Sequence, residues 1–383
     1  MNNRYDFLDA LRGIAVLGVV TVHVLKFIVH TTNSGILYRL SGEGARGVQL
    51  FYIVSALTLF LSLHSSQYLG KVGETLKYSL RRFFRIAPMF YLMLIIIGFF
   101  TFIYPLDFFS YVKTDILNFV SSFTFINGFF PDYINNIVPG QWSIAVEMLF
   151  YILVPILFMR IKNLEGAKKA FLYSIIFTTL IELILPIISP NLNGGDLQFA
   201  LFATLPIQLP TFILGFVSFF LIYNKDGKKE SADKKTIIDT IKYLFAVTLI
   251  AEIIFIIVKF ALSKTIDTSL TTPRIYIESV ILVCLVISLA NGYLSILKNK
   301  LFQFFGKISY SLYLTHFLIL MLISRTALYI AVAKHMNIYV EYVFLFVLGT
   351  IIASVISYIT YILIEKPGQE LGKLVSKKLI KQD

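Results

Sequence analysis

Long apolar stretches dominate this sequence and limit what it can fold into. Ten of them follow one another, at about 13–30, 48–63, 86–104, 142–159, 170–189, 199–223, 243–262, 275–297, 308–330 and 341–364. A bilayer crossing takes about 20 apolar residues, and in lipid only a helix satisfies its own backbone at this spacing. The sequence therefore predicts an all-α fold, a polytopic integral membrane helical bundle with about ten transmembrane helices. Residues 1–367 are predicted to form the transmembrane domain, and residues 368–383 a basic cytoplasmic tail.

The composition excludes several other classes of protein. Of the 383 residues, 57% are hydrophobic and 15% are charged, whereas soluble domains carry roughly 25% charged residues. Soluble enzymes, disordered chains and secreted disulfide scaffolds are therefore excluded. The single cysteine, Cys284, lies inside an apolar run, so neither a disulfide framework nor a cysteine metal site is expected.

The uneven distribution of lysine and arginine predicts how the chain is oriented. If the N-terminus is placed inside and each span changes the side, 25 of the 34 lysines and arginines fall on inner segments and six on outer segments. Cytoplasmic loops of membrane proteins carry such an excess. Both termini are therefore predicted to be cytoplasmic. The net charge of +12 is attributed to this topology and to attraction to anionic membrane lipids, and no nucleic acid partner is predicted.

A shorter apolar run at 114–127 differs from the ten. It is interrupted by Asn118, Ser121, Ser122 and Asn127. A run of this length and polarity is too short to cross a bilayer as a helix. We therefore expect an interfacial or re-entrant segment here.

Four basic side chains lie within or directly before the first apolar run: Arg12, His23, Lys26 and His30. At about 100° per residue they point within roughly 60° of one another on a helix. Ionisable side chains within a span face the bundle interior or a wet cavity and are candidates for function. For Lys26 and His30, near the outer end, interhelical hydrogen bonds or snorkelling explain the pattern as well as function does. For His23, near mid-depth, a functional role is the favoured interpretation.

Two later spans also carry polar side chains on one face. Ser143, Glu147 and Tyr151 are spaced by four residues in the fourth span. The alternative for Glu147 is a buried glutamate paired with an arginine for packing alone. Tyr313 and His316 share a face of the ninth span, and His316 is predicted to reach the depth of the histidine at mid-depth in the first span. A buried histidine with satisfied hydrogen bonds is the competing interpretation for His316.

An arginine cluster, Arg81, Arg82 and Arg85, precedes the third span. Under the positive-inside rule such a cluster is an ordinary inner flank of a span. Its planar guanidinium groups would also suit phosphate groups delivered from the cytoplasm. The sequence has no Walker loop, dinucleotide glycine motif or His-Glu-x-x-His zinc motif, so no metal is predicted.

Six motifs follow one another in an order that is typical of one membrane protein family. They are Leu8-Asp9-Ala-Leu-Arg12 with a histidine eleven residues after the arginine, Gly47-Val-Gln-Leu-Phe-Tyr-Ile-Val-Ser55, Arg82-x-x-Arg85, Trp142-Ser-Ile-Ala-Val-Glu147, Gly306-Lys-Ile-Ser-Tyr-Ser-Leu-Tyr-Leu-Thr-His316 and Glu365-Lys-Pro367. Together they resemble the membrane-bound acyltransferase 3 family of bacteria, over nearly the whole chain. The chain departs from the family pattern at Gln49, often acidic, at Ala56, often glycine, and at Met148, often a second glutamate.

This resemblance implies an O-acyltransferase. The implied reaction moves an acyl group, usually acetyl from cytoplasmic acetyl-CoA, to a sugar hydroxyl of an extracytoplasmic glycan such as O-antigen, capsule or exopolysaccharide. The expected location is the bacterial inner membrane, in the form of the family without a periplasmic hydrolase-like domain. The expected partners are acyl-CoA, a lipid-linked or polymeric glycan acceptor, membrane lipids and proteins of glycan assembly.

The resemblance also assigns the donor side of the site. Arg12, Arg82 and Arg85 would bind the acyl-CoA. Arg12 and His23 are eleven residues apart, roughly 16–17 Å along a helix, which is comparable to an extended pantetheine arm. His23 would then act as a general base on the acceptor hydroxyl or carry the acyl group transiently, and both routes stay open.

Further roles follow from the same resemblance. Glu147 would orient or charge-balance an imidazole, and His316 would bind or polarise a substrate, so both are predicted to be catalytic with His23. The residues predicted to bind substrate are Ser143, Tyr151, Tyr313, Lys26 and His30.

Two other classes of function compete with an enzyme. A secondary transporter or flippase for a glycolipid or organic acid would use the same polar stripe as its path, although no inverted repeat or pair of broken helices is visible. A scaffold of a glycan-assembly complex would leave the buried charges unexplained. Acyl-CoA-dependent labelling of an acceptor separates the enzyme from both.

Overall fold

The structure, a computed structural model, describes residues 6–29, 35–103, 115–188, 199, 201–224, 227–261 and 273–380. Most of these residues are helical, and no β-strand occurs among them beyond one isolated bridge between Tyr223 and Lys229. The predicted all-α class is confirmed. The helices are α1 (Asp6–Val24), α2 (Ile36–Glu43), α3 (Gly47–Ser65), α4 (Val72–Ile103), α5 (Ile116–Phe123), α6 (Gln141–Arg160), α7 (Leu164–Ile188), α8 (Leu205–Ile222), α9 (Lys234–Ala261), α10 (Pro273–Ala290), α11 (Lys300–Lys307), α12 (Ser309–Ser324), α13 (Ala327–Ala333), α14 (Ile338–Thr360) and α15 (Lys366–Ile380).

Each of the ten predicted apolar runs overlaps a described helix, although the run at 308–330 covers α12 and the start of α13. In the described part of the chain, seven helical segments are long and apolar enough to cross a membrane. An eighth is added if α11 and α12, which are bent by 80° relative to one another, are counted as one span. The multi-pass helical architecture is thus confirmed. The count of ten crossings and the cytoplasmic location of the termini stay predictions.

α1 is surrounded by other helices, because it packs against α3, α11, α12 and α14. Two glycines allow this close approach. A Cβ atom added at Gly306 would lie 1.8 Å from the Asp9 carbonyl oxygen, and one added at Gly47 would lie 2.2 Å from the Ala15 carbonyl oxygen. Small residues at helix contacts let membrane helices come together at the backbone. Arg12 and His23 of the predicted polar stripe are therefore partly buried among other helices, whereas Lys26 follows α1 and is exposed.

Replacing Gly306 by alanine should destabilise the bundle, because backbone atoms of α1 occupy the space of the new methyl group. Overpacking of this kind costs about 1–3 kcal/mol. We expect a lower midpoint of thermal unfolding in detergent. Gly42→Ala is the control, since nothing lies within 4 Å of a Cβ at Gly42 in α2. Equal midpoints for the two variants would contradict the close contact of α1 with α11.

The segment before α6 folds back without forming a long helix. α5 has eight residues, and two short 3-10 turns follow it. Buried amide side chains hold the segment: Asn118 Nδ2 donates to Asn136 Oδ1 (2.7 Å), and Gln141 Nε2 donates to the Tyr133 carbonyl (2.8 Å). The short helix agrees with the predicted interfacial or re-entrant run, whose depth in the membrane stays a prediction.

A helix, α15 (Lys366–Ile380), occupies most of the predicted basic tail. α15 follows a π-helical segment, Tyr361–Glu365, and lies against α4. Gly368 and Gly372 make this contact possible, since a Cβ at either would come within 2.8 Å of Pro88 or Phe84 side-chain atoms. The predicted domain boundary after residue 367 therefore falls within a helix that packs on the bundle; that boundary stays a prediction.

Candidate active site

Two histidines from different helices form a hydrogen-bonded pair. His23 lies in the last turn of α1, and His316 lies in α12. The distance from His23 Nδ1 to His316 Nε2 is 2.8 Å, and His316 Nδ1 is 3.0 Å from the Leu312 carbonyl oxygen. The sequence predicts that both histidines lie at the same depth, and in the structure their rings are hydrogen-bonded to one another.

This hydrogen-bond pattern selects one tautomer for each neutral ring. A carbonyl oxygen only accepts, so His316 Nδ1 donates to Leu312 and His316 Nε2 carries a lone pair. His23 Nδ1–H then donates to His316 Nε2. The lone pair of His23 is thereby left on Nε2. An imidazole held in this way can accept a proton at Nε2.

The His23 ring faces a cavity, whereas His316 lies behind it. His316 is 2% exposed, and His23 is partly exposed and lines a cavity of about 560 Å³. The edge of Phe317 packs against the His23 ring with centroids 5.3 Å apart, and Lys26 Nζ is 5.7 Å from the centroid of the Phe317 ring. His23 is therefore the member of the pair that a substrate can reach.

We call this space the outer cavity, because it lies at the end of α1 that is predicted to face outward. His23 and Lys26 line one side of the cavity, residues of the segment 131–140 line another, and Trp142 also lines it. The segment contributes polar groups, including the carboxylate of Asp132 and the side chain of Asn135. Convergent polar groups beside aromatic rings are typical of a site for a small polar molecule.

A second, narrower cavity of about 70 Å³ lies toward the start of α1, and we call it the inner cavity. Arg12 of α1 and Arg82 and Arg85 of α4 all line it. The structure therefore brings together the three arginines that the sequence predicts for donor binding. Two hydrogen bonds position the Arg12 guanidinium group. Its Nη1 donates to Asp9 Oδ1 (3.1 Å), and its Nη2 donates to Thr58 Oγ1 (2.9 Å).

The inner cavity carries an excess of positive charge. Its charged lining residues are the three arginines and Glu147. Arg82 Nη2 donates to Ser62 Oγ at 3.3 Å, and its guanidinium lies over the Tyr78 ring, 5.7 Å from the centroid. Guanidinium groups in a partly desolvated site form strong, directional hydrogen bonds with phosphate. The three guanidinium groups would therefore attract an anion such as a phosphate group.

Glu147 belongs to the inner cavity and not to the histidine pair. It accepts hydrogen bonds from Ser55 Oγ (2.6 Å) and Tyr151 Oη (2.7 Å), and it does not line the outer cavity with His23. The partner of the His23 imidazole is therefore His316. The predicted role of Glu147 in orienting an imidazole does not match this placement.

The remaining predicted substrate residues fall into three places. Ser143 Oγ and Tyr313 Oη are 2.7 Å apart; Ser143 lines the inner cavity, and Tyr313 lines both cavities. Tyr151 lines the inner cavity, and Lys26 lines the outer cavity. His30 lies outside the described residues.

Some groups of the site were not singled out from the sequence. Ser55 and Thr58 of α3 hold Glu147 and Arg12, and only the Gly47–Ser55 motif pointed toward this helix. The Leu312 carbonyl selects the tautomer of His316, and a backbone group leaves no signal in residue types. Trp142 was quoted only as part of a motif, yet it lines the outer cavity.

The family model Acyl_transf_3, described as an acyltransferase domain, matches residues 5–362. The chain belongs to the acyltransferase 3 family. The predicted family and the acyltransferase class of this domain are thereby confirmed, while the activity of the whole protein, the donor, the acceptor and the residue roles stay predictions.

Two curated relatives of this acyltransferase 3 protein come from Staphylococcus aureus. A protein of strain COL with the provisional name O-acetyltransferase SACOL0978 is 29% identical over 324 residues, which are 82% of this chain and 50% of the relative. The O-acetyltransferase OatA of strain NCTC 8325 / PS 47 is 24% identical over 378 residues, 95% of this chain and 57% of the relative. The chain thus spans about half the length of the curated relatives that it matches. No solved structure is significantly similar to it.

Proposed function

We propose that this protein transfers an acyl group, acetyl in the simplest case, from acyl-CoA to a hydroxyl group of an extracytoplasmic glycan. The observation that carries the proposal is the hydrogen-bond relay from His23 through His316 to the Leu312 carbonyl, beside a cavity large enough for a sugar. A relay of this form prepares an imidazole to take a proton. Family membership and the names of the relatives support the same reaction class.

The inner cavity supports acyl-CoA as the donor. Its three arginines suit the phosphate groups, and Arg12 lies eleven residues before His23 on α1. That separation is roughly 16–17 Å along a helix, comparable to an extended pantetheine arm. A CoA whose phosphates stay at the arginines would thus carry its thioester to the level of His23.

In the proposed reaction, His23 Nε2 accepts the proton of an acceptor hydroxyl while that oxygen attacks the thioester carbonyl carbon. The carbon–sulfur bond then breaks, and CoA leaves as a thiolate. The proton held by His23 passes to the CoA sulfur, so the products are an ester and the CoA thiol. His316 is the positioning residue that keeps the His23 lone pair on Nε2. Donor and acceptor meet at His23 from two cavities, which favours direct transfer over a route through an acyl-histidine.

The proposal is tested with purified protein, acetyl-CoA labelled in the acetyl group and a polysaccharide or lipid-linked glycan acceptor. We expect label on the acceptor as an alkali-labile ester, and release of CoA only when an acceptor is present. Uptake of a glycolipid or an organic acid by proteoliposomes without any acyl transfer would instead identify a transporter. Release of CoA together with labelled protein in the absence of acceptor would favour the acyl-histidine route.

Arg85→Ala should weaken the binding of acetyl-CoA. A hydrogen bond to a charged group contributes about 1.5–3 kcal/mol, so the dissociation constant should rise by about tenfold to one hundredfold. Arg85→Lys should recover little of this, because an ammonium lacks the two-pronged geometry of guanidinium. Binding is measured by calorimetry on purified protein. Arg81→Ala is the matched control, since Arg81 is exposed and does not line the inner cavity. Equal affinities for the Arg85 and Arg81 variants would identify the cluster as a topology signal only.

A further inference from the structure

The inner and outer cavities approach one another from opposite ends of α1. The inner cavity includes Arg12 near the start of this helix, and the outer cavity includes His23 in its last turn. Val48 of α3 and Tyr313 of α12 are the two described residues that line both cavities. These two side chains therefore lie at the boundary between the inner cavity and the outer cavity.

Hydrogen bonds hold the Tyr313 ring across this division. Its hydroxyl group lies 2.7 Å from Ser143 Oγ and 3.2 Å from the Gly140 carbonyl oxygen. Ser143 Oγ itself donates to the Gly140 carbonyl at 2.9 Å. The ring is also packed edge-on against Phe51, with centroids 6.2 Å apart.

The backbone at Gly140 is shaped to receive this hydroxyl group. Gly140 precedes the first residue of α6 with a φ of 87°, a left-handed conformation that favours glycine. A Cβ atom at this position would lie 2.6 Å from Tyr313 Oη. Any side chain here would therefore push the tyrosine away from its present position.

A membrane protein with two open polar cavities must keep them apart, because a continuous file of water through the bilayer would conduct protons and small ions. We infer that Tyr313, tethered to Ser143 and Gly140, is the barrier that keeps the inner and outer cavities separate while no donor is bound. In the proposed reaction the pantetheine arm of the donor would displace this ring to reach His23. The inference goes beyond the proposed function, since the membrane must stay sealed in the absence of substrates.

Proton flux into proteoliposomes tests the barrier. The protein is reconstituted with a trapped pH-sensitive dye, and flux is driven by a potassium gradient with valinomycin. We expect vesicles with the unaltered protein to be as tight as protein-free vesicles, and vesicles with Tyr313→Ala to show a several-fold faster flux. Tyr310→Ala is the matched control, because Tyr310 lies one turn earlier on α12 and lines only the inner cavity. Equal flux for the two variants, whether slow or fast, would overturn the inference.

Cysteine labelling in intact cells gives a second measurement that needs no purification. Ser309→Cys places a thiol in the inner cavity, in a background where Cys284 is replaced by alanine. A membrane-impermeant thiol reagent applied on the side of the outer cavity should label this cysteine when Tyr313→Ala is also present, and should not label it with Tyr310→Ala. Absence of labelling in the Tyr313→Ala protein would contradict the barrier even if that variant is unstable in detergent. Because neither readout involves acyl transfer, a failure here is distinguishable from a failure of the proposed function.

Discussion

Replacement of His23 by alanine should lower the rate of acyl transfer by about 10²–10⁴-fold, the usual contribution of a general base. The affinity for acetyl-CoA should stay close to that of the unaltered protein, because the arginines that would hold the phosphates line a different cavity from His23. The measurement is the initial rate of ester formation at saturating donor, together with donor binding on the same preparation.

His335→Ala is the control for this experiment. His335 is an exposed histidine after α13 that lines neither cavity, so its removal should leave the rate unchanged. A His23→Ala protein that kept most of its transfer rate would remove the proposed chemistry, although the membership in the acyltransferase 3 family would stand.

His316→Ala should have the second largest effect. Without His316 Nε2 as an acceptor, His23 is no longer held with its lone pair on Nε2. In metal sites, loss of a group that orients a ligating imidazole typically costs about 10- to 100-fold in activity, and we expect an effect of the same order here. We expect kcat to fall by this factor while KM for acetyl-CoA changes little, since the donor would be bound in the inner cavity.

A conservative replacement separates positioning from packing at His316. The amide oxygen of His316→Gln can accept the Nδ1–H of His23, so this variant should recover part of the rate that His316→Ala loses. Both variants remove the buried ring, and a purely structural role would therefore lower their thermal stability and their rates together. Full activity in His316→Ala would show that the histidine pair has no part in catalysis.

The sequence predicted the helical architecture and the face of α1 well, for a physical reason. The periodicity of a helix is regular, so Arg12 and His23 could be placed on one side of a span without knowledge of its neighbours. The bend of 80° between α11 and α12 was not predicted, although it lies just before the helix that carries His316. Depth along a straight helix can be counted from the sequence, whereas a bend between helices is set by packing.

Pairings between helices were harder to predict. The sequence predicts Glu147 beside an imidazole, whereas its carboxylate lies on the face of α6 where it accepts hydrogen bonds from Ser55 and Tyr151. The partner of His23 is another histidine, 293 positions later in the chain. One sequence does not contain the crossing angles that decide such contacts, and a backbone acceptor such as the Leu312 carbonyl is present at every position of a helix.

In the proposed reaction, donor and acceptor reach one histidine from opposite faces of the membrane. The most direct measurement supplies labelled acetyl-CoA to one face of sealed, oriented vesicles and the glycan acceptor to the other. Transfer is predicted when acetyl-CoA is on the face of the inner cavity and the acceptor is on the face of the outer cavity. The His23→Ala substitution should remove nearly all of this transfer. Transfer that occurs only when both substrates are on the same face would contradict acyl transfer across the membrane.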